Sequence, residues 1–147
     1  MISAMQFTGS ECIRTLDAKN RIVMPPAFKE GLKRGIFYVI CFPKDNSLRV
    51  YNEEDLNSIF NEKLLTKDGG RKNIRRQRVM FSRMIKCELD SQNRFTISQK
   101  LIDLAGIDKE VKMIGVGTRI ELWNPELLDE DISLIEDDDF DDFDSDY

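Results

Sequence analysis

A six-residue segment occurs twice in this chain, 73 positions apart. Leu16-Asp17-Ala18-Lys19-Asn20-Arg21 returns as Leu89-Asp90-Ser91-Gln92-Asn93-Arg94, with only Leu, Asp, Asn and Arg retained. Asp can accept a hydrogen bond from the backbone two residues on, and Asn tolerates a left-handed backbone conformation. The repeat therefore predicts two tight hairpin turns in a duplicated module, each with an arginine at its end.

The residues around each turn alternate in the way that half-buried strands do. Before the turns, the equivalent inward positions are Ile85, Cys87 and Leu89 in the second half and Cys12, Arg14 and Leu16 in the first. After the turns, Ile22 with Met24 and Phe95 with Ile97 are expected to face the core. Since side chains alternate along a strand, Arg21 and Arg94 are expected to point away from the core.

Each half has the pattern strand-turn-strand-helix-strand-strand, which predicts a mixed α/β, mainly β fold. Helix starts are expected at Pro25-Pro26 and after Ser98, Asn52 and Asn124, because these residue types favour the first helical positions or the N-cap. The expected organisation is a first repeat over 11–53, a linker with a basic helix over 54–83, a second repeat over 84–127 and a disordered acidic tail over 129–147.

Charge is distributed unevenly along the chain. The whole sequence has a net charge of −5, with 22 basic and 27 acidic residues. Eleven of those acids lie in residues 129–147, which contain no Lys or Arg, so the rest has 22 basic against 16 acidic residues and a net charge of +6. A basic body favours a polyanionic partner such as a nucleic acid.

The composition argues against enzyme chemistry and against a cofactor. There is no histidine, which excludes Ser-His-Asp and Cys-His catalysis and His-bearing metal sites. Cys12, Cys41 and Cys87 form no Cys-x-x-Cys pair and are expected to be small apolar side chains of a reducing compartment. No signal peptide or membrane-spanning run is recognisable, so a cytoplasmic protein without a membrane partner is expected.

The sequence resembles the MraZ family. The resemblance covers about residues 5–128 and is carried by the paired Leu-Asp-x-x-x-Arg turns, the opening Phe7-Thr8-Gly9, Leu104-Ala105-Gly106-Ile107-Asp108-Lys109-Glu110-Val111, and Ile114-Gly115-Val116-Gly117 with Glu121-Leu122-Trp123. It implies tandem AbrB-like swapped-hairpin repeats, which form a pseudo-twofold barrel with short helices. It also implies a bacterial, nucleoid-associated transcriptional regulator that assembles into ring-shaped homo-oligomers.

The family resemblance implies binding to double-stranded DNA at short promoter repeats upstream of the division and cell-wall operon, generally as a repressor. The chain departs from the family pattern where Asn20 and Asn93 replace the usual Gly, in the hairpin loop at 43–47, and in the long acidic tail. A left-handed turn tolerates Asn in place of Gly.

The candidate DNA-binding residues lie in the two turns. Arg21 and Arg94 are expected to reach base edges, since a guanidinium can bind guanine with two hydrogen bonds. Asp17 and Asp90 would order the loops, and Lys19 would contact a phosphate. The alternative is a surface ion pair within each turn, which contributes only about 0–1 kcal/mol. Two copies on matching faces of a basic body favour the nucleic-acid interpretation.

Two further segments have open interpretations. Residues 71–86 contain seven Lys and Arg and no acid, so they form either a solvated helix face or a strip that follows phosphates, with Arg75, Arg76 and Arg78 as candidate contacts. The acidic tail favours solubility, although it could also compete with DNA for the arginine turns. The alternative function is a protein-interaction module that uses the basic strip and the acidic tail.

Overall fold

The structure is a computed structural model that describes residues 5–32, 35–65 and 70–144. The strands are β1 (Phe7–Thr15), β2 (Arg21–Val23), β3 (Ile36–Ile40), β4 (Leu48–Asn52), β5 (Met84–Glu88), β6 (Arg94–Thr96), β7 (Glu110–Gly117) and β8 (Ile120–Trp123). The α-helices are α1 (Pro26–Lys29), α2 (Glu53–Phe60), α3 (Arg71–Ser82), α4 (Gln99–Leu104), α5 (Pro125–Ser133) and α6 (Asp141–Asp144). Glu30–Leu32 and Asp137–Phe140 form 3-10 turns, and Asn61–Leu65 forms a π-helical turn.

The strands form two antiparallel sheets that draw on both halves of the chain. The larger sheet has the order β1-β7-β8-β4-β3-β5, and the smaller one pairs β2 with β6. β1 and β5, at the two ends of the large sheet, lead through the two turns into β2 and β6. The small sheet therefore connects both ends of the large one. This confirms the mixed α/β, mainly β fold that the sequence predicts.

A pseudo-twofold axis relates the two halves. Ile22 and Phe95 pair directly in the middle of the β2–β6 ladder, and Arg49 pairs with Glu121 in the middle of the β4–β8 ladder. On either side of the first pair, the Met24 amide donates to the Asn93 carbonyl at 2.8 Å and the Ile97 amide donates to the Asn20 carbonyl at 2.9 Å. Each bond is the 73-residue counterpart of the other.

The main core lies between the two sheets and the short helices. It contains the inward residues predicted around the turns, namely Leu16, Ile22, Met24, Cys87, Phe95 and Ile97. Arg14, which occupies an inward position of the repeat, is only half-buried. A second cluster, Ile40, Tyr51, Leu56, Phe60 and Leu64, packs the helices between the halves onto the β3–β4 hairpin.

The predicted helix starts are confirmed. The Ser98, Asn52 and Asn124 side chains accept hydrogen bonds from backbone amides of the helices they precede. Pro26 is the first residue of α1. Gly106 follows α4 with a φ of 64°, a left-handed conformation that glycine adopts without steric cost.

The structure differs from the sequence-based expectation at the C-terminal segment. Disorder is expected from residue 129, whereas α5 continues to Ser133 and helical turns extend to Asp144. The expected boundary at 129 falls inside α5. This helix is capped by Asn124 and anchored by the buried Leu128, so it continues for a further turn. Glu136 and Asp139 form a reciprocal capping box for the turn that follows. Residues 145–147 lie outside the described residues.

In the part of the chain that the structure describes, no helix is both long and apolar enough to cross a bilayer.

Candidate nucleic-acid interface

The first turn is organised by the carboxylate of Asp17. Its Oδ1 accepts hydrogen bonds from the backbone amides of Lys19 and Arg21, both at 2.9 Å, and its Oδ2 accepts one from Arg21 Nε at 2.7 Å. The backbone closes with the Asp17 amide donating to the Arg21 carbonyl at 3.0 Å. Asn20 adopts a φ of 59°, which an Asn tolerates in a turn. One side chain thus fixes both the loop and the arginine.

The second turn repeats this geometry bond for bond. Asp90 Oδ1 accepts from the backbone amides of Gln92 at 2.8 Å and Arg94 at 2.9 Å, and Oδ2 accepts from Arg94 Nε at 2.9 Å. Asn93 has a φ of 60°. The turn chemistry predicted from the repeat is therefore confirmed in both copies.

The hydrogen bonds to each carboxylate also keep it ionised. Donation from the Arg21 backbone amide, followed by the side-chain bond from the same residue, lowers the pKa of Asp17 from 3.8 to about 2. The Arg94 backbone amide has the same effect on the pKa of Asp90, which lies below its usual value. Both aspartates are therefore anionic at neutral pH and hold their arginines electrostatically as well as by hydrogen bonding.

The two arginines lie on one face of the β2–β6 ribbon. Arg21 pairs with Thr96, and Arg94 pairs with Val23, so these four side chains share a face. The opposite face carries Ile22 and Phe95, which are buried in the core. Diagonal neighbours across an antiparallel pair have Cα atoms about 7–8 Å apart. Both guanidinium groups are thus presented side by side and away from the core, as the alternation of residues predicts.

The ends of the guanidinium groups remain available. The side chains of Arg21 and Arg94 are 31% and 28% exposed, so both are half-buried. Each uses its Nε for the aspartate, and its two Nη groups have no hydrogen-bond partner among the described residues. A guanidinium held at Nε presents its terminal fork in a fixed orientation, which suits two-point recognition of a base or a phosphate.

The two turns differ in one charge and in one side-chain contact. Lys19 is exposed at the tip of the first turn, where the second turn has the uncharged Gln92. The Asn20 side chain also donates to Gln99 Oε1 on α4 at 3.1 Å. The residue equivalent to Gln99 in the first half is Pro26, so Asn93 has no matching contact there. Gln99 was missed as a site residue because it lies 79 positions from Asn20, and only the pairing of the halves brings them together.

The candidate phosphate contacts lie on a separate element. Arg75, Arg76 and Arg78 are exposed on α3, which is the helix predicted in the basic linker. Arg76 donates to the Asn73 side chain at 3.2 Å, and Asn73 is buried and bonds the Leu64 carbonyl. These arginines therefore form one face of a helix that Asn73 anchors, and they are not part of the β2–β6 ribbon.

The glycine-containing end of β7 and the side chain of Trp123 belong to the fold. Residues 115–117 are the last residues of β7, and residues 118–119 connect it to β8. Trp123 is buried, and its indole N–H donates to Glu121 at 3.0 Å. Within the described residues, no group of three or more Cys, Asp or Glu side chains is arranged to hold a metal ion.

Comparison of the sequence with known proteins identifies a family. The family model described as "MraZ protein, putative antitoxin-like" matches residues 80–142. A "Transcriptional regulator MraZ" of Thermoanaerobacter sp. (strain X514) is 38% identical over 117 residues, which cover 79% of this chain and 80% of the relative. The protein of the same name from Mesomycoplasma hyopneumoniae (strain 7448) is 40% identical over 111 residues, which cover 75% of this chain and 74% of the relative. The protein of the same name from Desulforamulus reducens is 34% identical over 115 residues, which cover 78% of this chain and 79% of the relative. With the duplicated turns and relatives that match over most of both chains, this chain belongs to the MraZ family.

Proposed function

We propose that the protein is a transcriptional regulator that binds double-stranded DNA through its two Asp-x-x-x-Arg turns. The observation that carries the proposal is the identical geometry of the turns, each of which fixes an arginine at Nε and leaves its terminal fork open. The relatives bear the name of a transcriptional regulator, which agrees with this role. Repression of its own division and cell-wall operon, at tandem promoter repeats, is the finer part of the proposal.

The β2–β6 ribbon suits the DNA major groove in size. The groove is about 12 Å wide and admits a two-stranded β-ribbon. Arg21 and Arg94, as diagonal neighbours on one face, fit within that width. In the proposed complex both forks contact guanine O6 and N7, while Asp17 and Asp90 hold the guanidinium groups before DNA arrives. This preorganisation reduces the conformational entropy lost on binding.

Phosphate contacts supply the sequence-independent part of the affinity. Lys19 is exposed beside Arg21 at the tip of the first turn, so it is the nearest candidate. Arg75, Arg76 and Arg78 lie on a different element and would contact phosphates only if the duplex or a neighbouring site extends along α3. Each phosphate contact should add about −0.9 to the slope of log affinity against log salt.

Ring-shaped homo-oligomers are also part of the proposal. Exposed apolar side chains outside the turns, among them Ile13 and Val116 on the β1–β7 pair, offer surfaces for contact with other copies. Several copies on one ring would engage several promoter repeats at once and raise the affinity through effective concentration. Sedimentation velocity of the full chain tests the assembly independently of DNA.

The deciding experiment is fluorescence anisotropy with the duplex immediately upstream of this protein's own gene and a random duplex of equal length. Arg21→Ala and Arg94→Ala should each weaken binding to the upstream duplex by about 1–3 kcal/mol, or roughly 5- to 150-fold. Lys29→Ala removes an exposed charge on α1 and is the matched control. Equal binding of both duplexes by the unmodified protein, or unchanged binding in both arginine variants, would contradict the proposal and favour the protein-interaction module.

A further inference from the structure

The exposed side of α3 combines arginines with apolar side chains. Ile74, Val79 and Phe81 on this helix are each more than one third exposed. One groove of about 460 Å³ is lined by Pro43, Lys72, Arg75, Arg76, Val79 and Met80. A second groove, of about 330 Å³, is lined by Arg71, Ile74, Arg75 and Arg78. A surface with this composition suits an acidic peptide that also carries large apolar side chains.

The C-terminal segment 134–144 has the complementary chemistry. It contains seven Asp and Glu and no Lys or Arg. Phe140 and Phe143 are 46% and 57% exposed, and Leu134 is 81% exposed. The rings of the two phenylalanines lie 6.0 Å apart, so they form one apolar patch surrounded by carboxylates. Exposed aromatic side chains of this size are costly to leave in water.

We propose that the acidic, aromatic segment 134–144 docks onto the arginine-lined grooves of α3 in the same chain. Phe140 and Phe143 would enter the apolar parts of the grooves, and the carboxylates around them would pair with Arg75 and Arg78. This inference does not depend on DNA binding. The segment matches both the positive charge and the apolar side chains of α3. A phosphate backbone would match only the charge, because it offers no apolar group.

The connection is long enough for docking within one chain. α5 packs against β7, and α3 ends at Ser82, just before β5 begins at Met84. β7 and β5 are separated by four strand spacings, or about 19 Å at about 4.8 Å each. The ten steps of the chain from Ser133 to Phe143 span about 22 Å when the helical turns at 137–143 are kept, and up to about 33 Å when the whole segment is extended. Tethering at this length gives an effective concentration in the millimolar range, which sustains a contact that is weak between separate molecules.

The proposal is tested with the full chain and a fluorescent peptide of residues 134–147. The full-length Phe140→Ala/Phe143→Ala variant keeps its charge but loses the aromatic part of its own tail. It should therefore bind the peptide about tenfold more tightly than the unmodified chain, whose own tail occupies the grooves. Adding Arg75→Ala and Arg78→Ala to this variant should remove most of that binding. A peptide with the same two phenylalanines replaced by alanine is the charge-matched control.

The outcomes separate docking from simple charge attraction. Tighter binding that depends on both the phenylalanines and the α3 arginines supports the proposal. Equal binding of the two peptides, or binding that persists without Arg75 and Arg78, would overturn it. Circular dichroism of each variant checks that the chain is folded, and exchange of the α3 amides with deuterium gives a second readout. Exchange should be slower in the unmodified chain than in the phenylalanine variant, and equal rates would count against docking.

Discussion

Ile22 and Phe95 pair directly across the β2–β6 ladder, although they come from different halves of the chain. Both side chains are buried, so the packing of the core fixes the orientation of the ribbon. Arg21 and Arg94 are the immediate neighbours of this pair on the opposite face. The candidate DNA-reading side chains are therefore positioned by the same residues that hold the two halves together.

Replacing the candidate arginines with lysine should separate recognition from charge. Arg94→Lys retains the positive charge but cannot make the two-point contact with guanine while it stays bound to Asp90, because an ammonium group lacks the planar fork. Affinity for the upstream duplex should fall by about 1–3 kcal/mol, with little change for random DNA. Competition binding with both duplexes measures the preference. A variant that keeps its preference would show that only the charge at position 94 matters.

The left-handed turn residue should tolerate glycine but not alanine. Asn93 has a φ of 60°, a region that costs a residue such as alanine about 1–2 kcal/mol. Asn93→Ala should therefore lower the free energy of unfolding by about that amount, while Asn93→Gly should change it by less than about 0.5 kcal/mol. Urea denaturation of the three proteins tests this. Equal effects of the two substitutions would show that the side chain of Asn93, and not its backbone, matters.

The two turn aspartates should contribute to stability in a defined pH window. The pKa of Asp17 falls from 3.8 to about 2 on folding, and that of Asp90 is also lowered. In acid, the unfolded chain therefore binds protons at these aspartates more readily than the folded chain does. The stability that the two ionised carboxylates contribute is fully present above about pH 4 and is lost as the pH falls towards about 2. In the Asp17→Asn/Asp90→Asn variant this pH dependence disappears.

Urea unfolding at a series of pH values checks the effect of the aspartates. The stability difference between the unmodified chain and the double variant should be largest near neutral pH and should shrink through the acid window. A difference that stays constant down to about pH 2 would show that the carboxylates do not titrate as the turn geometry requires.

Gly115 should not tolerate a side chain. A Cβ at this position would lie 2.7 Å from the Phe7 carbonyl carbon and 2.9 Å from the Thr8 nitrogen, so the backbone of β1 would have to move. Gly115→Ala should therefore destabilise the fold by about 1–3 kcal/mol. Gly70→Ala is the control without a steric clash, because a Cβ there meets nothing within 4 Å, and as the N-cap of α3 it should cost at most about 1 kcal/mol. Thermal unfolding of both variants measures the difference in stability. Equal melting temperatures would contradict the close approach of β1 and β7.

The cysteines should differ in reactivity. Burial raises the pKa of the Cys87 thiol to about 12, so almost none of Cys87 is a thiolate at about pH 8. Iodoacetamide should modify the half-buried Cys12 first and reach Cys87 only after unfolding. Mass spectrometry of tryptic peptides, with and without urea, gives the rates. Equal labelling of Cys12 and Cys87 in the folded protein would show that β5 opens readily.

Local rules account for most of what the sequence predicts correctly. The Asp17 and Asp90 turns, the left-handed Asn residues and the Ser98 cap each depend on side chains within a few residues of one another. The outward direction of the arginines follows from the alternation of a strand. The turns are recognisable because they recur in both halves, whereas the Ser98 cap has no counterpart at Pro25.

Features that depend on distant residues were not predicted. The bond between Asn20 and Gln99 exists only because β2 pairs with β6 and brings α4 beside the first turn. The π-helical turn at Asn61–Leu65 has no local sequence signal, although it buries Leu64 in the second core cluster. The helical turns after residue 134 were missed because composition alone indicates a solvated segment there.

The β2–β6 ladder has a consequence for the history and handling of this chain. Because the short strand of each half finds its hydrogen-bonding partner in the other, neither half is a complete folding unit. The protein resembles a dimer whose two subunits have been joined by a linker. Cutting the chain within that linker should leave two fragments that recombine with each other, whereas either fragment alone would have to pair with a second copy of itself.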